Sequence, residues 1–257
     1  MRRASRMVGA LALLAVVGAA VAWAFLSDGD SDQTTAASPP PAPAPPKPAR
    51  EKPRLELSDR GQPIVWLRRG AQIPIRSSPG GKLVKNLDWR TPFDSRTVLA
   101  VFRHVGRWAA VPTPLLPTGQ LGWVKLDPSK LRAGWTPYTI DVDLSKRAAQ
   151  LRRGDRVLRS FRVTVGAPGT TTPTGRFAVT DTFRGNLNPA YGCCAVATTA
   201  RQLHLPSGWL GGDRIAIHGT AGPLGVAASN GCVRAADEDV NALVNQVQLG
   251  SPVVIRQ

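Results

Sequence analysis

Apolar and polar positions divide the chain into stretches with different periods. Residues Met7 to Leu26 form an uncharged apolar run of 20 positions, long enough to cross a bilayer core as a helix. Between Pro39 and Pro48 no period exists: seven of ten residues are proline and the rest are Ala or Lys. Such a run forms neither helix nor sheet and favours an extended rod of about 3.1 Å per residue. From about Leu55 to Leu131 short apolar runs recur: Ile64 to Leu67, Ile73 to Ile75, Leu83-Val84, Val98 to Phe102 and Trp108 to Val111. Pro79-Gly80-Gly81 and Pro117-Thr118-Gly119 punctuate them. Short β-favouring runs without helical spacing predict a small barrel.

Beyond residue 136 alternation takes over. Tyr138, Ile140, Val142 and Leu144 share one face, as do Phe161, Val163 and Val165, and both sets predict half-buried strands. Arg153-Gly154-Asp155 is the predicted turn between this pair. Ile215 and Ile217 repeat the period, which puts His218 at the end of a strand. Val240, Leu243, Val244 and Val247 switch to helical spacing, with Asp237 the expected N-cap and Gly250 the stop, before a last strand from Pro252 to Ile255. The expected architecture is mostly β with one C-terminal helix. The divisions are 1–26 (membrane segment), 27–54 (Pro-rich linker), 55–131 (small β-barrel) and 136–257 (second folded unit).

Arg2, Arg3 and Arg6 precede the first apolar run, and Asp28, Asp30 and Asp32 follow it. That asymmetry predicts an inside N-terminus and an exported body. Ala20-Val21-Ala22 supplies a signal-peptidase pattern, so a cleaved signal peptide and an uncleaved anchor both stand. The proline rod then reads as a spacer of roughly 30 Å or more, with a docking site for a proline-recognising domain as the weaker reading. Lys plus Arg number 33 against 17 Asp plus Glu, a net charge of +16. Export, and the lack of a recognition helix or zinc-finger spacing, set nucleic acid aside. Anionic envelope polymers are the better partners for so basic a chain.

The candidate chemistry sits in Ser229-Asn230-Gly231-Cys232-Val233-Arg234, with His218-Gly219-Thr220 upstream. A thiol near an imidazole suits nucleophilic catalysis, because the thiolate attacks and the ring can take its proton. The competing reading of a lone cysteine is a small buried hydrophobe. Cys193 and Cys194 are adjacent, and either a vicinal disulfide or a reduced buried pair suits the residues. His104, in an apolar strand, reads as a structural histidine, and His204 as a loop residue. No ligand cluster for a metal is present, and a cysteine nucleophile needs no cofactor.

This block resembles the active-site motif of the L,D-transpeptidase family of bacterial cell-wall enzymes. Phe161 to Gly166, Thr172-Pro173-Thr174-Gly175-Arg176-Phe177 and the Gly-Asp-Arg-Ile-Ala-Ile run into His218 extend the likeness over 136–257. More loosely, Gly106-Arg107-Trp108 and Gly122-Trp123-Val124 resemble bacterial Src-homology-3-like modules. The resemblance implies a β-sandwich catalytic unit in the cell envelope that forms 3→3 cross-links between peptidoglycan stem peptides through a Cys232 thioester. It implies His218 as base, oriented by the Gly219 carbonyl, and an oxyanion hole or loop support from Gly231, Ser229 and Asn230. Substrate contacts fall to Arg234, Thr220 and Tyr191, although Arg234 could instead pair with Asp237 or Glu238, and Tyr191 and Trp209 suit core or rim packing as well as the groove. Many members carry a second histidine where this chain has Asn230, so no role for that ring transfers. Two alternatives share these residues: a carboxypeptidase that passes the thioester to water, and a catalytically idle wall-binding protein.

Overall fold

The computed structural model describes residues 55–257, which belong to one compact unit. The N-terminal apolar run and the proline-rich stretch, expected as a signal peptide or membrane anchor and a spacer, lie outside the described residues. Among these, no helix is long and apolar enough to cross a membrane.

Eight strands build the first part: β1 (Gln62–Leu67), β2 (Gln72–Arg76), β3 (Leu83–Asp88), β4 (Val98–Ala100), β5 (Arg103–Val105), β6 (Trp108–Pro112), β7 (Leu121–Lys125) and β8 (Leu131–Thr136). They form a three-stranded sheet, β4-β1-β8, and a five-stranded sheet, β3-β2-β7-β6-β5. The two sheets enclose one core of short branched side chains, with Val65, Leu67, Ile75, Val111, Val124 and Leu131 sealed from solvent. Four of the five apolar runs predicted here as strands lie in strands, and the fifth, Val98 to Phe102, is strand only as far as Ala100. The last strand of this small β module runs to Thr136, because Gln62 to Leu67 pairs in register with all of Leu131 to Thr136. His104 departs from expectation. It lies on β5, where all three residues are exposed, so the ring is a surface group and not part of a core.

The second part comprises β9 (Tyr138–Asp143), β10 (Ala148–Arg153), β11 (Arg156–Arg162), β12 (Val165–Gly166), β13 (Gly175–Arg184), β14 (Cys194–Arg201), β15 (Arg214–Gly219), β16 (Ala227–Ser229), β17 (Val233–Ala235), α1 (Asp237–Gln246) and β18 (Pro252–Arg256). One sheet takes the order β11-β10-β9-β18-β13-β14-β15-β17, and β12 pairs with β16 beside it. Register breaks at Val179/Asp181 and Ala197/Arg201 mark where the pairing of β13 with β14 and of β14 with β15 is interrupted. Breaks of this kind let a sheet bend. Its two halves thus close on a single core that joins Ile140, Val142 and Leu151 to Val196, Ile217 and Val233, with Leu243 from α1.

Three details differ from the periodic reading. Gly154 and Asp155 do form a tight turn, but between β10 and β11; Ala148 to Arg153 is a strand of mixed polarity whose alternation was masked by arginines. Asp237 is the first helical residue and not the cap. Ala236 holds that position without a side-chain bond, and Asp237 Oδ1 instead accepts from the Cys193 N–H at 3.2 Å. Val247 is the C-cap, and Gly250, at φ 83°, turns the chain into β18.

Candidate active site

Strand pairing brings together the two segments that carry the candidate reacting groups. β15 and β17 run parallel, with Ile217 opposite Val233 and His218 opposite Arg234. Paired residues in such a ladder point to the same face. Ile217 and Val233 therefore enter the core, while His218, Arg234 and the preceding Cys232 face a pocket of about 300 Å3. Tyr191, Trp209 and Asn230 complete the walls that matter here. Arg234 is tied from its other side as well, exchanging two backbone hydrogen bonds of 2.8 Å with Thr164.

The imidazole is 3% exposed and its Nδ1 lies 2.8 Å from the Gly219 carbonyl. A carbonyl only accepts, so Nδ1 carries the hydrogen and Nε2 keeps the lone pair. Tyr191 packs edge-on against the ring, 4.9 Å between centroids. Gly219 has to be glycine here, since a Cβ would run into Asp237 Oδ1. Burial lowers the His218 pKa from its ordinary 6.5, and the Arg234 charge adds to that; hydrogen bonding to the Gly219 and Tyr191 backbone acts the other way.

Cys232 is a free, half-buried thiol, its sulfur 3.9 Å from the Arg214 carbonyl. Burial raises its pKa from 9.0, opposed by a hydrogen bond from the Ala216 backbone and by Arg234. Both shifts favour a neutral thiol beside a neutral imidazole over a resting ion pair. Cys193 and Cys194 are bonded to one another, which leaves the sulfur at 232 as the only free thiol among the described residues.

The loop that carries Cys232 is held by its carbonyls, all four of which have named donors. Ser229 O accepts from Ala167 N–H (2.8 Å) and the Thr170 hydroxyl (2.9 Å). Asn230 O accepts from Gln202 Nε2 (2.9 Å), Gly231 O from the Thr172 hydroxyl (2.8 Å), and Cys232 O from the Ser229 hydroxyl (2.6 Å). A trans peptide points its N–H opposite to its carbonyl, so fixing the Gly231 carbonyl on Thr172 also fixes the direction of the Cys232 N–H. The Gly231 N–H, by contrast, is committed to Ser229 Oγ at 3.1 Å. Gly231 supports the loop and does not supply a free donor. Its φ of 114° and the closeness of Gln202 Nε2, which any Cβ would meet, both require glycine.

Arg234 makes no ion pair with Asp237 or Glu238. Glu238 lies 3.7 Å from Arg159, and the neighbouring Asp239 receives Arg159 Nε at 2.5 Å. Arg234 Nε is buried without a hydrogen-bond partner, an expensive state for a charged group. Of the expected substrate contacts, Tyr191, Trp209 and Arg234 reach the pocket. Thr220 does not: its hydroxyl accepts from the Gly222 N–H at 3.0 Å and supports the turn after β15. His204 is exposed in a loop, its N–H on Gln202 Oε1.

Gln202 was not visible from the sequence. Its amide nitrogen also donates to Thr170 O at 3.0 Å, and its oxygen accepts from Leu203 and His204 N–H. Thr172 was visible only as part of the run that extends the likeness, yet its hydroxyl links Gly166 N–H (2.9 Å) to Gly231 O. No local pattern distinguishes a glutamine or threonine that bonds across about 30 to 60 residues of sequence from one that faces solvent.

Comparison with known proteins gives the family of the second part of the chain. The YkuD family, described as an L,D-transpeptidase catalytic domain, matches residues 137–255. YkuD of Bacillus subtilis (strain 168), itself named only provisionally as an L,D-transpeptidase, is 31% identical over 123 residues, 47% of this chain and 67% of that protein. Its namesake in Bacillus licheniformis is 29% identical over 163 residues, 62% of this chain and 91% of the other. Among solved structures, L,D-transpeptidase 3 of Mycobacterium tuberculosis aligns over 53% of this chain and 74% of its own, at 16% identity and a TM-score of 0.40. With the matched segment enclosing the thiol, the imidazole and the loop that fixes them, the chain belongs to the L,D-transpeptidase family.

Proposed function

We propose that the protein is an exported L,D-transpeptidase that forms 3→3 peptidoglycan cross-links through a thioester on Cys232. The observation that carries this is the free Cys232 thiol sharing one pocket with His218, whose ring is oriented by Gly219. In this reading His218 Nε2 takes the thiol proton as Sγ bonds to the donor carbonyl carbon. The Cys232 N–H faces the developing oxyanion, a donor worth about 3–4 kcal/mol in comparable acyl transfers. The C–N bond to the terminal D-alanine then breaks and His218 returns the proton to the leaving amine. The amine of a second stem attacks the thioester, giving its proton to His218; the C–S bond breaks and the thiol is restored. Arg234, unpaired and facing the pocket, grips a substrate carboxylate.

The neutral thiol and imidazole fit a base that acts during attack, because a proton accepted only then need not be held in the resting state. Anionic wall polymers remain the proposed second partner. Arg68, Arg69, Arg96 and Arg132 line a hollow beside Trp66 on the small β module, with no acidic side chain among its walls.

The test incubates the full chain with stem tetrapeptides and, separately, with a carbapenem. Cross-linked dimer lacking one D-alanine, and a β-lactam adduct mapped to Cys232, are expected. Cys232→Ala abolishes both, and His218→Ala lowers the rate by about 10³-fold or more. Tripeptide without dimer identifies the carboxypeptidase. Neither product nor adduct identifies the idle wall-binding protein.

A further inference from the structure

The turn Pro117-Thr118-Gly119, between β6 and β7, reaches the second part of the chain. Gln120 N–H closes it on Pro117 O at 3.0 Å, and Gly119 supplies the positive φ, 89°, that such a reversal requires. The half-buried Thr118 stands at its first central position. The Thr118 hydroxyl donates to Arg201 O at 3.1 Å and accepts from Arg201 N–H at 3.3 Å. Pro114 O, from the same loop, accepts from Arg201 Nη1 at 3.3 Å. The sheet itself leaves this place open: β13 pairs with β14 only as far as Thr198, and from Ala178 it pairs with β18 instead. One hydroxyl thus gives Arg201 both bonds that a neighbouring strand would give.

Arg201 ends β14 and pairs with Arg214, which begins β15. That pair is the root of the segment 202–213, whose Leu205, Trp209 and Leu210 line the thiol pocket. Arg201 also holds the far end of the segment, its Nε donating to Asp213 Oδ2 at 2.6 Å, and Gln202 N–H donates to Asp213 O at 2.7 Å. The module reaches the other strand of the root too. Thr91 donates its hydroxyl to Asp181 Oδ1 at 2.5 Å, and Asp181 Oδ2 lies 4.0 Å from Arg214 Nη1. A loop takes its position from the scaffold at its root, so whatever fixes the root fixes the wall.

We infer that Thr118 is a positioning residue for the thiol pocket: acting through Arg201, it sets where the wall of residues 203–212 stands. The small β module is then part of the apparatus that receives the substrate. That consequence rests on the acyl-transfer reading; the placement of the wall does not.

Thr118→Val keeps the shape of the side chain and removes both bonds, whereas Thr118→Ser keeps them. Amide hydrogen exchange on the full chain reads the wall at Gln202 and Leu203, whose N–H groups bond to Asp213 O and Gln202 Oε1 and not to Thr118. Leu126 N–H, on Arg107 O, reports the module's own fold. Thr118→Val is expected to speed exchange at Gln202 and Leu203 at least about tenfold, with Leu126 within about twofold of the unaltered chain. With stem tetrapeptides, its KM is expected to rise about fivefold at a kcat within about twofold. Thr118→Ser is expected to restore both readouts. Unchanged exchange at Gln202 and Leu203 or a level KM overturns the inference. So does an equal rise at Leu126, which is general loss of packing, or a Thr118→Ser chain as disturbed as Thr118→Val. If the unaltered chain makes no product from stem peptides, the acyl-transfer proposal falls and the exchange rates alone decide this one. Should Thr118→Val fail to fold, Thr118→Ala, which also lacks the hydroxyl, takes its place.

Discussion

The two walls of the thiol pocket are built by opposite means. Residues 229–232 form one wall, and each of their carbonyls has a donor. Residues 203–212 form the other, and there the bonds are internal: Trp209 N–H to Pro206 O and Trp209 Nε1 to Gly212 O, both 3.1 Å. The second wall exposes Leu203, Leu205 and Trp209, and Leu210 is fully exposed. Its neck is closed by Gln202 N–H on Asp213 O (2.7 Å) and by Arg201 Nε on Asp213 Oδ2 (2.6 Å). A nucleophile needs sub-ångström placement, and a wall that only receives a substrate does not. The difference teaches where rigidity is concentrated: in the loop that carries the proposed nucleophile, with the other wall free to adapt.

One residue belongs to both walls, so its loss should blur the contrast most. Gln202 Nε2 holds Asn230 O and Thr170 O, while its Oε1 starts the opposite loop. Gln202→Leu keeps bulk and removes every one of those bonds, leaving buried carbonyls unsatisfied. Chemical denaturation is expected to show a loss of about 2–4 kcal/mol, and carbapenem acylation a fall of about 100-fold. Unchanged acylation would mean that the loop needs no such bracing.

Thr172→Val is the narrower version. It removes a hydroxyl that links Gly166 N–H to Gly231 O and keeps the shape of the side chain. A stability loss of about 1–3 kcal/mol and a roughly tenfold lower kcat with KM unchanged are expected from steady-state kinetics, because only the aim of the Cys232 N–H alters. An effect confined to KM would move Thr172 to the substrate groove instead.

Legibility in the sequence follows the same division. Short β-favouring runs gave β1, β2, β6 and β18, while alternation and helical spacing gave β9, β15 and α1, since burial on one face writes a period into the chain. The grouping of Cys232 and His218 in one pocket was legible because thiol chemistry demands rare residue types in a fixed order. Gln202, Thr172 and the use of Asp237 were not, since a bond between residues far apart in sequence leaves no local mark. The same holds for Asp181, whose meaning comes only from the module packed against it. His104 misled because an apolar run, Val98 to Phe102, precedes it closely while its own strand lies at the edge of the five-stranded sheet.

The pH dependence sharpens what burial does to the rigid wall. His218 titrates below 6.5 in the folded chain, so its contribution to stability is present above that value and lost as pH falls through the lowered one. Cys232 titrates above 9.0, so its contribution is present below that value and lost as pH rises through the raised one. Thermal unfolding across pH is expected to show a plateau between 6.5 and 9.0, with Cys232→Ala removing part of the alkaline decline. An alkaline arm identical in Cys232→Ala would assign that decline to other groups.

The smallest effect on stability belongs to the loose wall. Leu210 is wholly in solvent, so Leu210→Ser removes no packing and should change unfolding free energy by less than about 0.5 kcal/mol. The same side chain belongs to the pocket's lining, however, and an exposed leucine beside a reacting thiol offers apolar surface to whatever enters. A several-fold higher KM with kcat preserved is therefore expected for stem peptides, while the rate constant for carbapenem acylation at saturation stays level. Such a split is what an adaptable wall produces, because it contributes equally to ground state and transition state. A fall in kcat would instead show that this loop closes over the thiol during the reaction, and the contrast between the two walls would then hold only for the empty pocket.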